Sequence, residues 1–234
     1  MTPRLRAVSL DLDNTLWDTP PVLRRAEARL GAWLEQRYPR IAARFASEDL
    51  QRLRAAVAAE APGRAHDLSW LRTEALRRAA RACSYPSAVA SEAFAVFIAA
   101  RNEIEPYPEV RAALARLAAR VPLYALTNGN ACVHRVGLGA YFRGAIDAAA
   151  AGAAKPDARI FAHLLQVAGT AAASLLHVGD DPVADVGGAR AAGLATAWMN
   201  RAGGRWPAAA AAPDHVVRDL DELAALVEGL TAGG

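Results

Sequence analysis

Two kinds of hydrophobic pattern alternate along this chain, and the switches between them divide it. Ala7–Leu10 is a short, mostly apolar run, the mark of a buried strand, and it ends at Asp11-Leu12-Asp13. Residues 18–101 then carry helical spacing only. Leu23, Leu30, Trp33, Leu34 and Tyr38 form one stripe, ended by Pro39. Ser47-Glu48-Asp49 is a good helix start for Leu50, Leu53 and Val57, with a stop near Pro62-Gly63. Asp67 or Ser69 caps a third helix through Leu71, Leu76 and Ala79, and a fourth runs from about Ser87 past Phe94, Phe97 and Ile98. Four amphipathic helices in a row predict a small helical bundle inserted after the first strand.

From Pro106 short apolar runs alternate with helical stripes. Pro108-Glu109-Val110 opens a helix with Leu114 and Leu117, and residues 121–126 form a strand ending at Thr127-Asn128-Gly129. A helix is expected next, then a weak strand at Ala145-Ile146-Asp147. Asp157 starts another helix through Ile160, Phe161, Leu164 and Leu165. Residues 174–178 form a strand ending at Gly179-Asp180-Asp181, with Pro182 where a first helical turn tolerates it. Residues 194–199 are the next strand, Val216-Val217 an edge strand, and the last helix covers 219–230; the alanine run at 207–213 reads as a surface loop. This alternation predicts an α/β core, a parallel sheet covered on both faces. The core is assembled from residues 1–17 and 102–234, with 18–101 as the inserted helical domain.

Composition changes this picture little. With 53% hydrophobic and 22% charged residues the chain buries a proper core. The net charge of +3, from 27 basic and 24 acidic residues, is spread without a basic stripe, so nucleic acid is not an expected partner while a small anionic substrate is compatible. Cys83 and Cys132 have neither metal-ligand spacing nor a disulfide framework and read as reduced thiols. Met1–Arg4 leads directly into a strand, leaving no room for a signal peptide, and no stretch approaches the length of a membrane span. The expectation is a soluble cytoplasmic protein with no membrane partner.

Chemistry concentrates where strands end. Asp11 and Asp13 begin on one side of a strand end, where two like charges repel; a divalent cation such as Mg²⁺ relieves them, although solvated loop acids are also compatible. Thr127-Asn128-Gly129 is compatible with a plain turn or with a hydroxyl and amides aimed at phosphate. Lys155-Pro156 suits a solvated loop or a charge partner, and Asp180, Asp181 and Asp185 suit a helix start or a metal site. In a parallel sheet the carboxyl ends of the strands share one edge, so all four clusters can meet there.

In this order, Asp11-Leu-Asp13-Asn-Thr15, Thr127, Lys155-Pro156 and Gly179-Asp180-Asp181-Pro-Val-Ala-Asp185 resemble the four motifs of the haloacid dehalogenase (HAD) superfamily, and the helical insert resembles its C1-type cap. In closer detail the chain is similar to the bacterial flavin-mononucleotide (FMN) phosphatase branch, which also dephosphorylates the ribitylamino-pyrimidine phosphate of riboflavin synthesis. Residues 48–54, His66-Asp67 with Arg72, Thr127-Asn128-Gly129-Asn130 and His177-Val178-Gly179-Asp180-Asp181 carry that likeness. The resemblance implies a Rossmann-like core and a phosphatase acting on a small phosphorylated metabolite. It implies Asp11 as nucleophile, Asp13 as acid and base, and Mg²⁺ held by the Asp11 carboxylate, the Asp13 carbonyl and Asp180. It further implies Thr127 and the Asn128 amide on phosphate oxygens, Lys155 offsetting charge, and Asp181 and Asp185 behind the metal ligands. Trp17, Arg64, His66, Trp70 and Arg72 are candidate substrate contacts, with core packing or an intra-cap pair as the alternative. Two other functions fit parts of this inventory. Dehalogenation of a 2-haloacid would leave Asp13 and Asp180 idle, and a receiver-like phosphoswitch would give the large insert no purpose.

Overall fold

The computed structural model describes residues 4–232. The reading of the N-terminus as leaving no room for a leader rests partly on residues 1–3 and lies outside the described residues. The chain divides into two compact units, one formed by the residues up to Asp18 and from Glu105 onward, the other by Thr19–Ile104.

The first unit is built on six parallel strands: β1 (Ala7–Leu10), β2 (Leu123–Thr127), β3 (Gly144–Asp147), β4 (Leu175–Gly179), β5 (Ala195–Met199) and β6 (His215–Val217). They lie in the order β3-β2-β1-β4-β5-β6, so β1 is central, with Ser9 opposite Tyr124 of β2 and His177 of β4. β1, β2 and β4 are buried at every position, as their apolar runs require. The chain crosses to the other side of β1 between β3 and β4. This reversal opens a crevice at the carboxyl ends of β1 and β4.

The second unit contains α1 (Thr19–Arg37), α2 (Pro39–Arg44), α3 (Ser47–Glu60), α4 (Leu68–Ala82) and α5 (Val89–Arg101). Ala26, Leu30, Leu34, Ile41, Leu50, Leu76, Ala90 and Phe97 form its core. Pro39 does more than end the first stripe: it sits in the first turn of the short helix α2, where its missing N–H costs nothing. Val22 and Ala26, rather than Leu23, complete the buried stripe of α1, and Leu23 is exposed. The Asp67 carboxylate caps α4 by accepting the Trp70 N–H at 2.8 Å.

The remaining helices belong to the first unit: α6 (Val110–Ala118), α7 (Ala148–Ala151), α8 (Ala158–Ala168), α9 (Gly188–Ala191) and α10 (Leu220–Ala232). The helix expected after Gly129 does not form. Residues 133–137 are turns, followed by one 3₁₀ turn at Gly139–Tyr141. Gly137 adopts φ +76°, a left-handed conformation that no right-handed helix accommodates. No described helix is long and apolar enough to cross a membrane.

Candidate active site

Three neighbouring strands deliver the site. The Asp11 N–H donates to the Val178 carbonyl at 2.8 Å, so β1–β4 pairing continues into the first motif and fixes the Asp11 backbone. Asn14 then turns the chain in the left-handed region at φ 59°, which asparagine tolerates better than most side chains. The turn brings Trp17 back beside Asp13, and the indole Nε1–H donates to Asp13 Oδ1 at 2.8 Å.

Lys155 is held at both ends. Its backbone N–H donates to Asn128 Oδ1 at 2.7 Å, and its carbonyl accepts from Asn128 Nδ2 at 2.9 Å. Its ammonium donates to Asp11 Oδ1 and Asp185 Oδ1, each at 2.6 Å, and to the Leu126 carbonyl at 2.9 Å. All three N–H bonds of a buried ammonium therefore have acceptors. Thr127 lies buried at the end of β2, its Oγ1 accepting the Gly129 N–H at 2.9 Å.

Beyond β4 the chain makes one wide turn, Pro182–Gly187, in which the Asp185 and Val186 N–H groups both donate to the Asp181 carbonyl. The Asp181 carboxylate caps this turn by accepting from Val183 and Ala184. Asp185 Oδ2 accepts the Asp181 N–H at 3.0 Å, while Asp185 Oδ1 takes Lys155 and His177 Nε2. Gly179 makes room for this: a Cβ there would stand 2.2 Å from Asp185 Cγ. The carbonyl of Asp180 is pinned by Trp198 Nε1–H at 2.8 Å.

One oxygen each from Asp11, Asp180 and Asp185 lies within 4.8 Å of the others. An all-oxygen carboxylate set suits a hard divalent cation such as Mg²⁺. Both Asp185 oxygens accept close protein donors, whereas Asp11 Oδ2 has only a long 3.4 Å contact from the Thr15 hydroxyl, so Asp11 and Asp180 are the better direct ligands. The electrostatics agree. Burial pushes the Asp11 carboxyl up against the pull of Lys155, and burial with the Asp185 charge raises Asp180 to about 6. Asp185 moves the other way, because Lys155 and His177 outweigh its burial.

The structure therefore brings Asp11, Asp13, Thr127, Asn128, Lys155, Asp180, Asp181 and Asp185 to one edge of the sheet. Two proposed substrate contacts are corrected. Trp17 is fully buried with its N–H on Asp13, a prop under the turn that follows β1 rather than an open stacking surface. Arg72 is buried inside the helical unit, donating to Glu27 at 2.8 Å with its guanidinium 3.4 Å from the centre of the Phe97 ring. Its partner is Glu27 rather than His66, which lies half-buried before α4. Arg64 is stacked on Trp70 at 4.1 Å. The sequence reading gave no role to Ser9, His177 or Trp198. For the first two a signal existed: a serine and a histidine inside strands buried on both faces must each find a partner.

A family model described as haloacid dehalogenase-like hydrolase matches residues 5–193. The chain is 34% identical to the 5-amino-6-(5-phospho-D-ribitylamino)uracil phosphatase YigB of Escherichia coli K12, over 84% of each chain. It is 31% identical to a phosphoserine phosphatase of Thermus thermophilus, over 94% of this chain and 98% of that one. Among solved structures, a 2-haloacid dehalogenase from Pseudomonas syringae superposes with a TM-score of 0.91 at 37% identity, covering 96% of this chain and 98% of that one.

Proposed function

Because the chain belongs to the haloacid dehalogenase-like hydrolase family, we propose that it is a Mg²⁺-dependent phosphomonoesterase working through an aspartyl-phosphate on Asp11. We propose as substrate a small phosphorylated metabolite, FMN or the ribitylamino-pyrimidine phosphate on which its Escherichia coli relative acts. The observation that carries this reading is a surplus of acid. Three carboxylates share one neighbourhood with a single ammonium, Lys155, leaving two negative charges for a divalent cation to balance. A haloacid dehalogenase needs neither that cation nor an acid for a halide leaving group. Cys83 and Cys132, read as reduced thiols, suit a reducing, cytoplasmic setting.

In the first step Asp11 attacks phosphorus, a P–O(Asp11) bond forms, and the bond from phosphorus to the ester oxygen breaks. Asp13, entering as the carboxylic acid, gives its proton to the departing alkoxide. In the second step the Asp13 carboxylate takes a proton from water, the water oxygen attacks phosphorus, and Asp11 is released with inorganic phosphate. Proton transfer of this kind is worth roughly 10²–10⁴-fold in rate. Lys155 holds the nucleophile in place, and the Thr127 hydroxyl has its proton available for a phosphoryl oxygen. Mg²⁺, held by the Asp11 carboxylate, the Asp13 carbonyl and Asp180, would neutralise charge on the phosphoryl group.

The test is a paired assay of p-nitrophenyl phosphate, FMN and the pyrimidine phosphate against L-2-chloropropionate, with Mg²⁺ and with EDTA. Phosphate release that requires Mg²⁺ and vanishes in Asp11→Asn is expected. Asp13→Asn should lower kcat by at least about 10²-fold. Metal-independent chloride release without phosphate release would replace this reading with dehalogenation, the activity named for its Pseudomonas syringae structural neighbour.

A further inference from the structure

The steps above leave unused the most deeply buried titratable side chain behind the nucleophile. His177 stands in β4 directly opposite Ser9 of β1, two residues before Asp11, and both are almost wholly buried. The Ser9 Oγ lies 2.8 Å from His177 Nδ1, and His177 Nε2 lies 3.1 Å from Asp185 Oδ1. That same oxygen accepts from Lys155, which in turn donates to Asp11. Four side chains thus run in series from the middle of the sheet to the nucleophile.

The chemistry of the chain fixes its direction. The Asp185 carboxylate has no hydrogen to give, so the Nε2 position must be the N–H. With the imidazole neutral, the Nδ1 lone pair accepts from Ser9. Burial favours the neutral form, and the edge-to-face contact with Phe161 at 5.6 Å fixes the ring plane.

We propose that His177, set in its Nε2–H form by Asp185 and steadied at Nδ1 by Ser9, is a positioning residue for phosphoryl transfer. It anchors the Asp185 carboxylate and, through it, the Lys155 ammonium against Asp11. Lys155 reaches Asp11 on a long side chain with four torsions, and its place is fixed by its acceptors. The acceptor opposite Asp11 is Asp185 Oδ1. If that oxygen loses its histidine donor, the carboxylate keeps only the Asp181 N–H on Oδ2 as a fixed donor, Oδ1 is less tightly placed, and the ammonium shifts with it away from the nucleophile. His177 touches no substrate atom; it acts through Asp185.

This rests on the phosphatase reading, and the experiment separates the two. Wild type, His177→Gln, His177→Asn and Ser9→Ala are compared on the best phosphate ester found above. A wild-type chain without phosphatase turnover removes the reading itself. In His177→Gln the side-chain amide reaches the Nε2 position and keeps an N–H for Asp185. In His177→Asn the shorter amide reaches Ser9 and falls short of Asp185. Partners of this kind typically matter by about 10–100-fold, so His177→Asn should lose that much kcat with KM within about twofold, and His177→Gln should recover most of it. Activities are taken per folded molecule, from thermal unfolding of each variant. Equal losses in the Asn and Gln variants, or an Asn variant as active as wild type, would overturn the proposal. Should His177→Asn fail to fold, Ser9→Ala decides, since it keeps the imidazole and removes the hydrogen bond that holds the ring at Nδ1. A kcat loss that is absent when Ser9→Ala is placed on His177→Gln supports the relay, and an unchanged kcat or an additive loss overturns it.

Discussion

At the scale of single residues, the site is held by buried groups packed behind its carboxylates. Trp17 is the clearest case. Its indole N–H donates to Asp13, and a hydrogen bond to a charged carboxylate, the form Asp13 takes in the second step, is worth about 1.5–3 kcal/mol. Trp17→Phe keeps most of the buried aromatic volume and removes the donor with one ring of the indole. It should lower kcat by about 10-fold or more while leaving KM within a few-fold, read from steady-state kinetics on the same ester. Gly179 is held by volume instead. A methyl group there would lie 2.2 Å from Asp185 Cγ, and Asp185 is anchored by Lys155, His177 and the Asp181 N–H. Overpacking of this kind costs about 1–3 kcal/mol. Gly179→Ala should therefore lower Tm by several degrees and cut activity further than the loss of folded protein explains, measured by calorimetry beside the kinetic assay.

Among the elements, the helical insert has its own electrostatic lock. Glu27 of α1 accepts from Arg72 of α4 at 2.8 Å and from Arg54 of α3 at 3.2 Å, tying three helices through one oxygen. Burial alone would raise the Glu27 carboxyl, but the two guanidinium groups outweigh it and hold it below its usual range. Arg72 is drawn down to about 10 by its own burial, yet it stays charged at neutral pH, so Glu27 is the partner that titrates. A carboxyl lowered in the folded state stabilises above its unfolded value and loses that contribution as pH falls through its folded one. Glu27→Gln should thus be less stable than wild type by about 1–3 kcal/mol at pH 7. The gap should close as the pH drops below about 4.5. Thermal unfolding of both proteins across pH 3–7 checks this, and a gap that stays constant would place the lock elsewhere.

The same scale explains what was legible in the sequence. The strands that carry Asp11, Thr127 and Asp180 announced themselves as apolar runs, because a central parallel strand is buried on both faces and has no polar face to confuse the pattern. A helix is expected after Gly129, yet residues 133–137 form turns, and Gly137 adopts the left-handed conformation at which a right-handed helix cannot continue. That conformation is a property of the backbone, which hydrophobic spacing does not encode. The roles of Trp17 and Arg72 failed to show for a related reason. Each pairs with a group fixed by tertiary packing, Asp13 across a tight turn and Glu27 across two helices, and a list of residue types does not reveal which partner an aromatic N–H or a guanidinium has found. His177 was visible as an oddity in its strand, but only the register of β4 against β1 connects it to Ser9.

For the molecule as a whole, the crowded carboxylates set stability against function. Asp180 carries a carboxyl raised to about 6 by burial and by the Asp185 charge. A carboxyl raised in the folded state stabilises only while protonated, so its contribution is lost as pH climbs from the usual value of 3.8 through about 6. At pH 7, without a cation, the ionised Asp180 therefore works against the fold. A ligand that binds only the folded chain reverses this in proportion to its concentration over its Kd. Two shifts of opposite sign follow. In EDTA at pH 7, Asp180→Asn should melt higher than wild type, by roughly 2–4 °C for each kcal/mol relieved in a chain of this size. On adding millimolar Mg²⁺, wild type should gain Tm and the variant should not. Differential scanning calorimetry measures both without reference to turnover. A wild-type Tm indifferent to Mg²⁺, or an Asp180→Asn protein that melts lower than wild type in EDTA, would mean that these carboxylates stabilise the fold by themselves and need no ion between them.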